Sequence, residues 1–272
     1  MKSILTDKTR TRFNPDTRPA KDIFELLEQY KQQGQKGQKE PEQQEPETNS
    51  AQSIPEGQIQ TLIYNDLGKQ VLEAMNKEFK GTRIEDKTKY KDNQPITYLN
   101  TPRALFYNLY LLQNHNAGLL SPEEVVQNWG NIPERDSTYA DTNAVAIYHN
   151  QGVNGDRRQE VLRLIGKPSI TVPHIVYNLG VRKADNEQGF TLTDSDFRRY
   201  EEQPLFTKNC RIAFNNGKFI ESDSGIQIYV PDEQDGLRRV CRSRSYGLIA
   251  WDGDLLYSSE SGRVQFYARR VR

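Results

Sequence analysis

The feature that most constrains the fold of this chain is an internal repeat near its C-terminal end. Residues 211–229 align with residues 248–267 after small insertions and deletions. The identical positions are Ile212/Ile249, Ala213/Ala250, Gly217/Gly253, Ser222/Ser259, Ser224/Ser261, Gly225/Gly262, Gln227/Gln265 and Tyr229/Tyr267. Both segments consist of short apolar stretches separated by Asn-Gly, Asp-Gly or Ser-Gly pairs, which tolerate the positive φ angles of tight turns. A repeated β-meander is therefore predicted.

A weaker third copy precedes these two. It begins at Ile175 and shares Asn178, Gly180 and Gly189 with the middle copy. The copies are offset by about 37 residues, a length typical of units that bury their apolar faces only against one another. A closed propeller typically needs at least about four blades. We therefore expect an antiparallel all-β repeat domain of three β-meander units, arranged as a trefoil-like structure or an open barrel.

The stretch before the repeats is predicted to be mainly helical. Apolar residues recur at helical spacing over residues 59–80. Thr101 followed by proline has the form of an N-cap and a first-turn proline. Ser121 and Glu124 have the spacing of a capping box, in which each side chain accepts a hydrogen bond from the other residue's backbone. Three helices are therefore expected here.

Two further elements complete this part of the chain. Residues 143–149 alternate as a strand does, and residues 156–165 return to helical spacing. The predicted fold class is α+β, with a small helical domain at 59–166 followed by the β-repeat domain at 167–272.

The N-terminal residues 1–30 are predicted to form a basic arm and a short amphipathic helix. Four apolar side chains lie at positions i, i+3, i+4 and i+7 of this helix, namely Ile23, Leu26, Leu27 and Tyr30. A helix this short is marginal alone in water, so its apolar face is expected to dock on this protein's own domain or on a protein partner. Residues 31–58 are Gln-rich and nearly devoid of apolar side chains, which predicts a disordered linker.

Composition excludes several classes of protein. The 37 basic and 37 acidic side chains cancel, so no long-range field attracts the whole molecule to nucleic acid or a membrane. Cys210 and Cys241 are too few for a disulfide framework and lack the spacing of a zinc site. Neither a signal-peptide core nor an apolar run of roughly 18 residues occurs. We expect a cytoplasmic protein with no membrane partner and no cofactor.

An arginine cluster is the most conspicuous charged feature. Arg238, Arg239, Arg242 and Arg244 fall within seven residues, close to several aromatic residues. Arginine binds phosphate and stacks on bases, so the cluster is a candidate site for RNA or single-stranded DNA. The alternative is a solvated strand whose arginines pair with the acidic residues just upstream. Repeat alignment also predicts that Phe214 and Trp251 occupy equivalent interior positions.

Three carboxylates form a second candidate site. Glu134, Asp136 and Asp141 lie close together in sequence between a predicted helix and a predicted strand. Oxygen ligands of this kind hold divalent cations, which suggests a metal-dependent hydrolase, although the same residue types are common in turns and caps. No Gly-x-Ser-x-Gly, Walker or Gly-x-Gly-x-x-Gly motif occurs.

These observations favour a non-catalytic binding or adaptor protein that recognises a macromolecular partner through its β-repeat domain and tethered N-terminal helix. RNA or single-stranded DNA binding through residues 238–244 is the first alternative. A metal-dependent hydrolase at Glu134, Asp136 and Asp141 is the second.

Overall fold

A computed structural model describes residues 57–244 and 246–268 of the chain. The predicted arm and helix at 1–30, with Ile23, Leu26, Leu27 and Tyr30, lie outside the described residues, as does almost all of the predicted linker. The described residues all belong to one unit of the fold, residues 52–272.

Four α-helices and thirteen strands follow one another in the described ranges. The helices are α1 (Asp66–Glu78), α2 (Thr101–His115), α3 (Pro122–Gln127) and α4 (Gly155–Leu164). The strands are β1 (Gln60–Thr61), β2 (Ala117–Leu119), β3 (Tyr139–Ile147), β4 (His174–Tyr177), β5 (Gly180–Lys183), β6 (Phe190–Thr193), β7 (Arg199–Glu202), β8 (Cys210–Asn215), β9 (Lys218–Glu221), β10 (Ile226–Tyr229), β11 (Leu237–Ser243), β12 (Gly247–Ile249) and β13 (Gln265–Ala268). Short 3₁₀ turns span Trp129–Asn131 and Pro204–Thr207. The predicted α+β class is confirmed.

The dominant element is a curled, eight-stranded mixed sheet with the order β7-β4-β3-β11-β12-β10-β8-β9. Its pairs are antiparallel except for β10 and β12, which run parallel. A three-stranded sheet, β1-β13-β2, and the hairpin β5-β6 accompany it. The strands of the predicted repeat region are therefore not all antiparallel, because the β10–β12 connection places these two strands side by side in the same direction.

Local capping determines where the helices begin. Ser121 Oγ accepts a hydrogen bond from the Glu124 amide at 3.3 Å, and Glu124 Oε2 accepts one from the Ser121 amide at 2.7 Å, so the predicted capping box is confirmed. The N-cap of α2 lies one residue earlier than predicted. Asn100 Oδ1 accepts from the Arg103 amide at 3.1 Å, and Thr101 is already the first helical residue.

The first predicted helix is shorter than its apolar pattern. It begins only after Asn65, whose side chain accepts a hydrogen bond from the Gly68 amide at 3.0 Å. Gln60 and Thr61 are instead a strand that pairs with β13. The helical spacing of apolar residues includes this segment, but Gln60 and Thr61 form a strand because they pair with residues more than 200 positions away in the sequence.

Strand β3 is buried along its whole length because both faces of the sheet are covered. Val145 and Ile147 contribute to an apolar cluster shared with α1, α2 and α4. Ala144 and Ala146 contribute to a second cluster formed with β10, β11 and β12. Successive side chains of a strand point to opposite faces of the sheet, so Val145 and Ile147 face the first cluster and Ala144 and Ala146 face the second.

Strand β3 also joins the two predicted domain ranges. It lies in the range 59–166 and pairs with β4 and β11, both from the range 167–272. Secondary structure from the two ranges thus contributes to one sheet.

The repeat copies have different surroundings. Residues 211–229 form three strands, β8, β9 and β10, with Asn216 and Gly217 at φ 48° and 78° in the β8–β9 turn. The predicted meander is not formed, because β8 lies between β9 and β10 and pairs antiparallel with both, so β9 and β10 are not neighbours. The copy at 248–267 begins in β12 and ends in β13, which lie in separate sheets. The arrangement of three units as a trefoil-like or open-barrel structure stays a prediction.

Candidate functional site

A pocket of about 480 Å³ lies between strand β11, strand β12 and the loop 250–264 that follows β12. Arginine and aromatic side chains form much of its wall. The lining residues are Tyr139, Arg238, Arg239, Cys241, Ser243, Arg244, Ile249, Trp251, Asp252, Gly253, Tyr257 and Ser261. A volume of this size is within the range of roughly 300–1,000 Å³ that is usual for small-molecule sites.

Backbone hydrogen bonds attach the loop 250–264 to the sheet. The Ala250 amide donates to the Tyr229 carbonyl at 2.8 Å, and the Arg239 amide donates to the Asp252 carbonyl at 3.0 Å. Asn154 Nδ2 donates to the Gly253 carbonyl at 2.6 Å. The start of the loop is therefore held in place, and with it the pocket residues Trp251, Asp252 and Gly253.

Arg239 forms a buried ion pair at the back of the pocket. Its Nε and Nη2 donate to the two carboxylate oxygens of Asp141 at 3.0 and 2.5 Å. Burial raises the pKa of Asp141. Burial alone would lower the pKa of Arg239, but the negative charge of Asp141 outweighs that effect, so the pKa of Arg239 is raised as well. The guanidinium carbon lies 5.2 and 5.7 Å from the ring centroids of Tyr139 and Tyr257. Arg239 therefore fixes this wall of the pocket.

Two arginines also hold the loop by its carbonyl groups. Arg238 Nη1 donates to the Trp251 carbonyl at 2.8 Å, and Arg239 Nη1 donates to the Tyr257 carbonyl at 3.3 Å. Arg238 also forms an ion pair with Asp235. The alternative interpretation is a solvated strand whose arginines pair with upstream acidic residues. Arg238 does pair with the upstream Asp235, but the strand is not solvated here, because Arg238 and Arg239 are buried. The register of β11 against β3 shifts between Arg239 and Cys241. Arg238, Arg239 and Cys241 all line the pocket.

Arg242 and Arg244 differ sharply in exposure. Arg242 is fully buried and donates to Gln265 Oε1 at 3.0 Å and to the carbonyls of Arg135 and Thr138 at 2.7 and 2.8 Å. Burial lowers its pKa to about 10, so it is still a cation at neutral pH. Arg244 is exposed at the β11–β12 turn and lines the pocket. Of the four predicted nucleic-acid contacts, three line the pocket and only Arg244 is exposed.

Two of the aromatic residues that line the pocket are exposed, Trp251 and Tyr257. Trp251 is 57% exposed, Tyr257 is 49% exposed, and Tyr246, on the same turn as Arg244, is 62% exposed. The prediction that Phe214 and Trp251 fill equivalent interior positions is wrong. Phe214 packs edge-on against Phe219 at 5.2 Å between centroids, whereas the chain leaves the sheet at Ile249, just before Trp251.

The three predicted metal-binding carboxylates do not converge. Each pairs with a different arginine: Glu134 with Arg263 at 2.8 Å, Asp136 with Arg135 at 3.0 Å, and Asp141 with Arg239. Within residues 57–244 and 246–268, no group of three His, Cys, Asp or Glu residues is arranged to hold a metal ion.

Two titratable groups of the pocket lining, the Cys241 thiol and the Tyr139 phenol, are neutral at physiological pH. Burial raises the pKa of the Cys241 thiol to about 12 and that of the Tyr139 phenol to about 12. Tyr139 Oη donates to the Leu99 carbonyl at 2.8 Å and accepts from the Ser259 amide at 3.0 Å, so its position is fixed. Thiolate chemistry is therefore suppressed at Cys241, because the thiol is the poorer nucleophile.

Sequence reasoning missed two residues of the site, Tyr139 and Asp252. Tyr139 begins β3, and only the pairing of β3 with β11 brings it to the pocket. Asp252 precedes Gly253, and the repeat alignment predicts a turn at this Asp-Gly pair. An Asp-Gly pair directly after an aromatic residue was the one local signal that could have marked it.

No protein-family model matches the chain, and no curated protein or solved structure matches it. Within the described ranges, none of the helices has the length and apolar character needed to span a membrane.

Proposed function

We propose that this protein binds single-stranded nucleic acid at the pocket beside β11. Bases stack on the exposed rings of Trp251 and Tyr257, and Arg244 contacts a backbone phosphate. The observation that carries the proposal is that two exposed aromatic rings and one exposed arginine line the same pocket.

Stacking supplies most of the affinity in this proposal. A base on an aromatic side chain contributes about 1–3 kcal/mol, and it does so for every base because each base has a π-face. Arg238 and Arg239 act as positioning residues, since their guanidinium groups hold the carbonyls of Trp251 and Tyr257. The arginine cluster thus serves the site mainly by presenting the rings.

Electrostatic attraction is a minor contribution. Arg238 and Arg239 each have a carboxylate partner, in Asp235 and Asp141, and the whole chain has no net charge. Arg244 has no ion-pair or hydrogen-bond partner for its guanidinium among the described residues. The logarithm of the binding constant should therefore fall with the logarithm of the salt concentration with a slope of only about −0.7, the value for one phosphate contact on a single strand.

The test is fluorescence anisotropy with labelled twelve-nucleotide single strands of RNA and DNA. Trp251→Ala should weaken binding about 5- to 150-fold, which corresponds to one lost stacking contact. Arg244→Ala should reduce the salt slope towards zero. Two matched controls lie elsewhere on the sheet, Tyr200→Ala on β7 and Arg211→Ala on β8, and both residues are exposed. Binding that is equally sensitive to the control substitutions would refute the proposal, as would a lack of binding.

The adaptor hypothesis rests on Ile23, Leu26, Leu27 and Tyr30, together with the β-repeat region, and it stays a prediction. A protein partner for that helix is compatible with nucleic-acid binding at the pocket. A pull-down with residues 1–30 would test it separately.

A further inference from the structure

Asp252 is an acidic residue in the pocket lining, and its carboxylate has hydrogen-bond acceptor capacity that the protein does not use. Asp252 lines the pocket beside Trp251, and its side chain is 35% exposed. One oxygen, Oδ1, accepts a hydrogen bond from the Asp254 amide at 2.9 Å. The other, Oδ2, receives only a long contact of 3.5 Å from Arg239 Nη1. A carboxylate has about four lone-pair sites, so acceptor capacity at Asp252 is left for a ligand.

We propose that Asp252 makes the pocket selective for guanine. Guanine presents two adjacent N–H donors on its Watson–Crick edge, at N1 and at the exocyclic N2 amino group. A carboxylate can accept both at once. The proposal rests on the nucleic-acid binding proposed above and adds which base occupies the pocket.

The other bases do not match an acceptor-only group. Adenine and cytosine each present an amino group next to a ring nitrogen that is itself an acceptor, and uracil presents one N–H between two carbonyl oxygens. In each case a lone pair of the base would face a lone pair of the carboxylate. This mismatch discriminates by repulsion as well as by attraction.

The remaining walls fit the same ligand. A volume of about 480 Å³ accommodates one nucleoside rather than a run of bases. Trp251 is adjacent in sequence to Asp252, so one loop offers both a stacking surface and an edge acceptor to a base. The Arg239 backbone amide holds the Asp252 carbonyl at 3.0 Å, which limits movement of the residue.

The experiment compares twelve-nucleotide single strands of A, C and U that carry a central guanine, inosine or adenine. Inosine lacks the N2 amino group and therefore one of the two donors. Wild-type protein should bind the guanine strand about 5- to 150-fold more tightly than the adenine strand, with the inosine strand in between. Because this comparison varies only the ligand, it does not depend on whether a variant folds.

Two matched substitutions complete the test. Asp252→Asn retains an oxygen that can accept from the Asp254 amide but replaces the other acceptor by a donor, so the guanine preference should be lost. Asp254→Asn lies two residues further along the same loop, outside the pocket lining, and should retain the preference. A preference that survives Asp252→Asn overturns the inference.

The inference and the proposed function fail in different ways. Binding that is lost in Trp251→Ala but is equal for the three strands refutes guanine selection and leaves the nucleic-acid proposal intact. No binding of any strand refutes both.

Discussion

Removal of the Asp141 carboxylate should destabilise the fold more than any surface charge change. Asp141 and Arg239 have side chains that are 2% and 1% exposed, so neither charge has access to water. In Asp141→Ala the guanidinium keeps the contact of 3.5 Å with Asp252, the hydrogen bond to the Tyr257 carbonyl and its contacts with the Tyr139 and Tyr257 rings, but it loses its close carboxylate partner. Breaking a buried ion pair by removing one partner costs about 3–5 kcal/mol, because the other charge stays buried without compensation.

This cost is a large share of the stability of a domain, which is typically about 5–15 kcal/mol. For a domain of this size, each kcal/mol shifts the melting temperature by about 2–4 °C, so Asp141→Ala should melt about 6–20 °C below the wild type. The assay is thermal unfolding followed by circular dichroism, with urea unfolding as a second measurement of the free energy.

The control for Asp141→Ala is an exposed ion pair. Asp136 is 68% exposed where it pairs with Arg135, so Asp136→Ala should cost less than about 1 kcal/mol. The double variant with Arg239→Met should recover part of the loss, because the unpaired charge is then gone. If Asp141→Ala and Asp136→Ala melted at the same temperature, the ion pair would not have the structural role that its burial indicates.

Two further predictions concern stability. The fold raises the pKa of the Cys241 thiol from 9.0 to about 12. The contribution of the neutral thiol to the free energy of unfolding is therefore fully present below pH 9 and is lost as the pH rises towards 12. At pH ~10.5 the wild type should have lost about 2 kcal/mol that Cys241→Ala does not lose, as measured by urea unfolding at several pH values. Equal slopes for the two proteins would contradict this. A Cβ at Gly225 would lie 2.2 Å from the Ile212 carbonyl oxygen, whereas one at Gly130 meets nothing within 4 Å. Gly225→Ala should therefore cost about 1–3 kcal/mol and Gly130→Ala less than about 0.5, and similar melting temperatures would show that the turn tolerates a side chain.

Short-range features of this protein could be predicted from its sequence. The capping box at Ser121 depends on groups only three residues apart, and the β8–β9 hairpin depends on the Asn216-Gly217 turn between its own strands. The α+β class follows from the change of period along the chain. These features are decided by local backbone chemistry, which sequence patterns represent directly.

The candidate site required the tertiary structure. Asp141 was singled out as a metal ligand and Arg239 as a nucleic-acid contact, yet the two form one ion pair across 98 positions of the chain. Local spacing contains no information about which strands become neighbours, and the pairing of β3 with β11 decides this contact.

The repeat illustrates the same division. Its sequence determined the turns and strands of residues 211–229, and it placed Phe214 and Trp251 at equivalent positions. Only the fold decided that Phe214 packs in a cluster while Trp251 faces solvent beside a pocket. Burial depends on what the rest of the chain places against a segment, and the two copies have different neighbours, because β8 pairs within the large sheet whereas the chain after β12 leaves it.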